Sequence, residues 1–323
     1  MAVIKFTTNN RTLTFGQKDH YSLKPIIKRY LWKIEGDAVY PYLLVDAGDG
    51  SSYSIRLEGQ LYLDLGERYC QLCGEIIPPD SSDAICRNCF ESHYYKCRRC
   101  IFEGPGEPFG QSCSKDNPPC HSSDNALRCY GQHYLYIGRF GNLLKVGTSY
   151  AKRSDGNYYR LIEQGLNEAI VLKSFSSLEA VLQAEKKLSD YFNYKTVLTY
   201  LDKIEQLQQN DERLEVNWHT LADKILKIFP EVKISYIDLT DFWSQYKCSF
   251  PIKTIWNPLS LSGEVVYAQG NVLILKEQKA SSINYFGINL SRLIGFEIFT
   301  QEDFYLDTLK ENQIELNEEE EEL

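Results

Sequence analysis

The chain has 323 residues, 43% of them hydrophobic, and a formal net charge of −9. That length allows two or three compact units, and the hydrophobic share is that of a globular protein rather than a disordered or fibrous one. No stretch approaches the ~20 consecutive apolar residues of a membrane-spanning helix, and the opening MAVIKFTTNNRTLTF has no apolar signal core, so the sequence predicts a cytoplasmic protein with no membrane partner.

The charge is unevenly placed. Residues 311–323 hold seven Glu and no base, whereas residues 86–165 hold eleven Lys or Arg against seven Asp or Glu, a net of +4. A mildly basic segment inside an acidic chain fits a local anion-binding surface.

Residues 1–66 read as a β-rich N-terminal domain. VIKFTT, RTLTF, YPYLLVDA, SYSIRLEG and LYLDL are alternating or continuous β-branched and aromatic runs, broken by turns at Asn9-Asn10 and Gly48-Asp49-Gly50. A short helix is expected around Leu23–Trp32.

Residues 67–131 form a cysteine-rich module. Cys70/Cys73, Cys86/Cys89 and Cys97/Cys100 are three C-x2-C pairs, followed by Cys113, Cys120 and Cys129. A C-x2-C turn aims two thiolates at one point, which is half of a tetrahedral zinc site. Cys70-x2-Cys73-x12-Cys86-x2-Cys89 gives four ligands at zinc-ribbon or treble-clef spacing. Disulfides, the competing reading, need an oxidising compartment. A second Zn²⁺ would take Cys97, Cys100 and two of Cys113, Cys120 and Cys129, with His121 in reserve. Cys248 stands alone among apolar residues and reads as a buried thiol.

Residues 132–230 change character. HYLYIG and LLKVGTS are strands joined by a hairpin at Arg139–Asn142. NYYRLIEQG is a helix stopped by Gly165, AIVLKSF a third strand, and SSLEAVLQAEKKLSDYF an amphipathic helix capped by Ser176 or Ser177. Helices are expected at 196–209 and 217–229. Residues 231–310 return to strands, and 311–323 read as a disordered acidic tail.

YLYIG-RFGN-LLKVGTS, then Arg160 in a helix, then Ala184-Glu185-x2-Leu188 on a later helix, resemble the GIY-YIG nuclease superfamily. The resemblance implies an α+β fold, a small sheet with helices packed around it, here preceded by the zinc module and flanked by β-rich segments. It also implies site residues: Tyr136 to hold or deprotonate an attacking water, Lys145 to assist, Arg160 to clamp phosphate, and Glu185 to bind Mg²⁺ or Mn²⁺. Lys145 stands where the superfamily usually has tyrosine, and Ser189 where a related branch has histidine. The bland readings are a Tyr136 that is core, an Arg160 paired with Glu163 or Glu168, and a Glu185 on an exposed helix face. The cysteine pairs with HYLYIG, LLKVGTS, RLIEQGL and GEVVYAQGNVLIL are also similar, over nearly the full length, to a family of unknown function.

Arg87, Lys96, Arg98 and Arg99 are interleaved with His93, Tyr94 and Tyr95, and Lys152 and Arg153 extend the basic segment. Cations beside aromatics suit phosphate contact and base stacking. The function expected is therefore a zinc-containing, nucleic-acid-binding protein, with RNA, DNA or a ribosome as partner. The alternatives are a metal-dependent endonuclease and a non-enzymatic zinc scaffold for a protein partner.

Overall fold

The computed structural model describes residues 4–8, 11–15, 24–91, 131–150, 159–209, 215–243, 250–255, 260–279 and 282–300. The N-terminal third is built from β1 (Ile4–Thr8), β2 (Arg11–Phe15), β3 (Ile26–Glu35), β4 (Ala38–Asp46), β5 (Ser52–Arg56), β6 (Gln60–Tyr69) and β7 (Ile76–Ile77). A short helix, α1 (Arg87–Glu91), follows. The middle holds β8 (His133–Phe140), β9 (Leu143–Tyr150), α2 (Tyr159–Gln164), β10 (Glu168–Phe175), α3 (Leu178–Phe192), α4 (Tyr200–Gln208), α5 (Trp218–Ile228) and β11 (Lys233–Asp238). The last strands are β12 (Lys253–Ile255), β13 (Ser260–Gln269), β14 (Val272–Lys279), β15 (Ser282–Asn289) and β16 (Phe296–Thr300).

These strands form a β1-β2 hairpin, a four-stranded sheet in the order β11-β10-β8-β9, and a ten-stranded sheet. The large sheet runs β12-β15-β14-β13-β6-β16-β3-β4-β5, with β7 pairing β6 off that path. It is mixed, because β12 lies parallel to β15 while its other pairs are antiparallel. β6 joins the two ends of the chain: it pairs with β13 through Gln60–Asp64 and with β16 through Leu63–Arg68.

Two expectations are corrected here. The α+β fold organised as a GIY-YIG-like small sheet with packed helices is overturned, since strand outweighs helix among the described residues and the ten-stranded sheet dominates. The helix expected around Leu23–Trp32 is strand β3. A bulge between Ile27 and Arg29 breaks the period of two, so the buried Ile27 and Trp32 sit five residues apart, a spacing that hides the alternation.

The four-stranded sheet is covered on both faces, and β8 is buried at every position. Leu135, Ile137, Val146 and Ile170 pack against Val181, Ala184 and Leu188 of α3 and Leu221 and Ile225 of α5. The opposite face presents Tyr134, Tyr136, Ala169 and Val171 to a core shared with Trp32, Leu61 and Leu273 of the large sheet. Trp32 and Trp243 meet edge to face there, with centroids 5.1 Å apart. Ser177 caps α3 by accepting from the Ala180 N–H, and Thr199 with Asp202 forms a capping box on α4.

Candidate functional site

The cysteine site begins where β6 ends. The Cys70 N–H donates to the Glu75 carbonyl at 2.8 Å and the Gly74 N–H to the Cys70 carbonyl at 2.9 Å. Gly74 has φ of 76°, which glycine adopts without steric cost. β7 then returns to pair with Arg68 and Tyr69, closing a knuckle. Opposite it, Cys86 and Cys89 bracket the start of α1, where the Phe90 N–H donates to the Cys86 carbonyl at 2.9 Å. The four Sγ atoms lie within 4.8 Å of one another, and those of Cys73 and Cys86 are 3.6 Å apart. Tetrahedral Zn–S bonds of about 2.3 Å require sulfurs about 3.8 Å apart. Four thiols at this spacing could hold one metal ion.

The electrostatics suit a cation. Burial would push the Cys70 thiol up, but N–H groups of Cys86, Cys73 and Leu72 outweigh it and bring it down to about 6. The Cys73 hydrogen bond, and then burial, push Cys89 up. The Cys70 thiol therefore releases its proton readily, whereas Cys89 keeps its own until a cation replaces it. Arg68, itself 1% exposed, braces the connecting loop. Its Nη1 donates to the Pro79 and Ser81 carbonyls at 3.2 and 2.6 Å, and its Nε to the Ile294 carbonyl at 3.0 Å.

A second grouping lies between the four-stranded sheet and α2. Tyr136 is 1% exposed and pairs across the hairpin with Gly147, where any Cβ would overlap the Tyr136 hydroxyl. Lys145, two positions from Gly147 and on the same face of β9, reaches under the Tyr136 ring, 5.8 Å from its centroid. Its Nζ donates to Gln164 Oε1 at 2.9 Å. Arg160 on α2 donates to Glu163 at 3.1 Å and lies in the electrostatic field of Tyr136 and Tyr30.

Glu185 lies on α3. Burial raises its carboxyl to about 7, with Lys145 opposing the shift. Lys203 on α4 is 3% exposed. Its Nζ donates to the Gln164 carbonyl at 2.9 Å and to Asn271 Oδ1 at 2.7 Å. Burial, then the positive charges of Lys145 and Arg160, push it down to about 7.

Tyr136, Lys145 and Arg160, far apart in sequence, thus gather on one side of the four-stranded sheet, while Glu185 lies on α3, which covers the other face, and is linked to them through the charge of Lys145. Arg160 takes Glu163 rather than Glu168, which pairs with Arg139. Arg87 is in neither grouping; it extends from α1, 88% exposed, and pairs with Glu91 at 2.9 Å. Cys97, Cys100, Cys113, Cys120, Cys129, His121, Lys96, Arg98, Arg99, Lys152, Arg153 and Cys248, and the 311–323 tail, lie outside the described residues. Among the described residues the four cysteines are the one group of three or more metal-donor side chains, and Glu185 belongs to no such group. Sequence reasoning missed Gln164 and Lys203. RLIEQGL contains Gln164, but only its fold contacts distinguish it from an ordinary exposed helix residue. The helical pattern of YLDKIEQLQ gives no sign that Lys203 points inward.

No helix among the described residues is long and apolar enough to cross a membrane. No curated protein and no solved structure matches the chain. A family model described as "Protein of unknown function (DUF2797)" matches residues 59–280. That match runs from β6 to the end of β14, takes in the four cysteines and the Lys145 neighbourhood, and spans more than half of the sequence; the chain belongs to this family of unknown function.

Proposed function

We propose that the protein is a zinc-containing nucleic-acid-binding protein, with Zn²⁺ held by Cys70, Cys73, Cys86 and Cys89 and polynucleotide phosphate received at the Lys145–Arg160 grouping. The observation that carries this reading is the gathering of Lys145, Arg160 and Lys203 in a chain of net charge −9. Glu163 pairs with Arg160 at 3.1 Å, whereas Glu185, which feels the charge of Lys145, is raised to about 7 and so offsets little of that lysine's charge below that pH. Arg160 brings a planar fork matched to phosphate oxygens, and its side chain is 39% exposed. Phosphate contacts of this kind are strongest at low salt. Arg87, Lys96, Arg98, Arg99, Lys152 and Arg153 are the further basic residues proposed to contact phosphate.

The second reading is metal-dependent phosphodiester cleavage, favoured by the approach of Glu185 to Lys145 and by the Tyr136 hydroxyl over Gly147. A carboxyl with a raised pKa, outside any group of three donors, is a weak holder of Mg²⁺ or Mn²⁺. Binding is therefore preferred over cleavage.

The test is gel shift and cleavage of labelled single- and double-stranded RNA and DNA at low salt with Mn²⁺, using wild type, Arg160→Ala and Glu185→Gln. A shift by wild type that Arg160→Ala weakens, without cleavage, is the expected result. Cleavage abolished by Glu185→Gln would replace binding with catalysis. No shift with any of the four nucleic acids would overturn both and leave the zinc scaffold for a protein partner.

A further inference from the structure

Gln164 is the last residue of α2, and its side chain and backbone serve different partners. Oε1 accepts from Lys145 Nζ at 2.9 Å. Its carbonyl accepts from Lys203 Nζ, also at 2.9 Å, and that ammonium is in turn held by Asn271 Oδ1 at 2.7 Å. Asn271 donates through Nδ2 to Asn289 Oδ1 at 3.0 Å. One residue on, the Gly165 carbonyl accepts from Gln269 Nε2 at 2.6 Å. Gln269, Gly270 and Asn271 are the end and turn of the β13–β14 hairpin, and Trp32 Nε1 pins the Gly270 carbonyl at 3.0 Å. The C-terminal end of α2 is therefore clamped by the large sheet, while the amide of Gln164 reaches across to a lysine of the four-stranded sheet.

Lysine carries its charge on a flexible four-carbon stem and, unlike arginine, has no rigid donor geometry of its own. An ammonium meets phosphate best when another group has already fixed its place. We propose that Gln164 is a positioning residue: clamped by the β13–β14 turn, it holds the Lys145 ammonium where a phosphate of a bound polynucleotide is received. This inference rests on the anion-binding reading above. It adds that the large sheet controls a site lying on the small one.

The experiment is fluorescence anisotropy of a labelled single-stranded RNA at low salt, with wild type, Lys145→Ala, Gln164→Met and the double variant. Gln164→Met keeps the side-chain length and removes the acceptor. Lys145→Ala is expected to weaken binding about tenfold and Gln164→Met about three- to tenfold, the net size of one ordinary hydrogen bond. In the Lys145→Ala background, Gln164→Met is expected to add nothing. Additive losses would show that Gln164 acts on the fold alone and overturn the inference, as would full affinity in Gln164→Met. Full affinity in Lys145→Ala would sink the anion-binding reading itself, and this inference with it. If Gln164→Met does not fold, Asn271→Ala cuts the clamp while leaving both Gln164 and Lys145 in place. The same non-additivity with Lys145→Ala is expected, and additivity overturns the inference.

Discussion

Gly165 and Gly270 touch backbone to backbone where the two sheets meet. A Cβ on Gly165 would stand 2.7 Å from the Gly270 nitrogen, and one on Gly270 would stand 2.9 Å from the Gly165 nitrogen. Both residues have positive φ, 71° and 61°. Only glycine meets both demands, because a side chain would strain its own backbone and collide with a partner that has no flexible end to move aside.

Gly165→Ala is therefore expected to destabilise the protein by roughly 2–4 kcal/mol, combining left-handed strain with overpacking. Denaturant melts would show a lower midpoint. Gly270→Ala should cost a similar amount, and the double substitution less than the sum, since both disrupt the same contact. A wild-type midpoint in either single variant would contradict the close approach.

Zinc removal should loosen the cysteine knuckle. Structural zinc sites contribute ~10–16 kcal/mol of apparent binding free energy in small finger peptides. Cys86→Ser is expected to carry one zinc fewer per chain than wild type by elemental analysis, and to expose the loop around Ile77 and Ile85, which pack beside the cysteines. Hydrogen exchange over 70–91 should rise while that of β8 and β10 stays low. Equal metal content in the two proteins would rule out a zinc ion on these four thiols.

Arg68 links that knuckle to the far end of the chain. Lysine cannot reproduce donation to the Ile294, Pro79 and Ser81 carbonyls. Arg68→Lys should cost about 2–4 kcal/mol through carbonyls left without their charged donor. It should also speed zinc transfer to a colorimetric chelator. Arg292 donates to the Asp80 and Ser81 carbonyls and would hold part of the loop, so release is faster but not immediate. A transfer rate identical to wild type would show that the loop does not depend on Arg68.

Stability should pass through a shallow minimum near neutral pH. The carboxyl of Glu185 is raised in the folded state to about 7 from 4.5, so the folded protein holds its proton longer. Stability from this group is present below the unfolded value and is lost as pH rises from about 4.5 to 7. Lys203 is lowered to about 7 from 10.5, so between those values the unfolded chain binds more protons and stability rises with pH. Glu185→Gln should flatten the acid limb by about 1–3 kcal/mol, and Lys203→Met should flatten the alkaline one. Denaturant midpoints at pH 5, 7 and 9 would check both. An unchanged acid limb in Glu185→Gln would mean that its carboxyl is solvated.

Much of the local structure was legible in order along the chain. The hairpin at Arg139–Asn142, an α3 cap at Ser176 or Ser177, and the return to strands after residue 231 all follow from turn chemistry and periodicity, which are properties of neighbours. β3 was misread as a helix because its bulge disguised the alternation. The fold class was misread for a different reason. The segment from Tyr134 to Leu188 has a recognisable local order, yet the dominant sheet is assembled from strands at both ends of the sequence. Nothing in Gln60–Tyr69 announces that its partners are Ser260–Gln269 and Phe296–Thr300.

The sequence by itself marked the four cysteines that could hold a metal ion, since each C-x2-C spacing sets two thiols on one turn. It also named Tyr136, Lys145, Arg160 and Glu185. The tertiary structure alone decided what surrounds them. The pairing of the terminal strands carries the β13–β14 turn to the end of α2, and that placement buries Lys203 and lets Gln164 reach Lys145. Side-chain spacing along a chain encodes turns and faces, whereas burial and the ionic state of a lysine depend on what distant strands bring beside it.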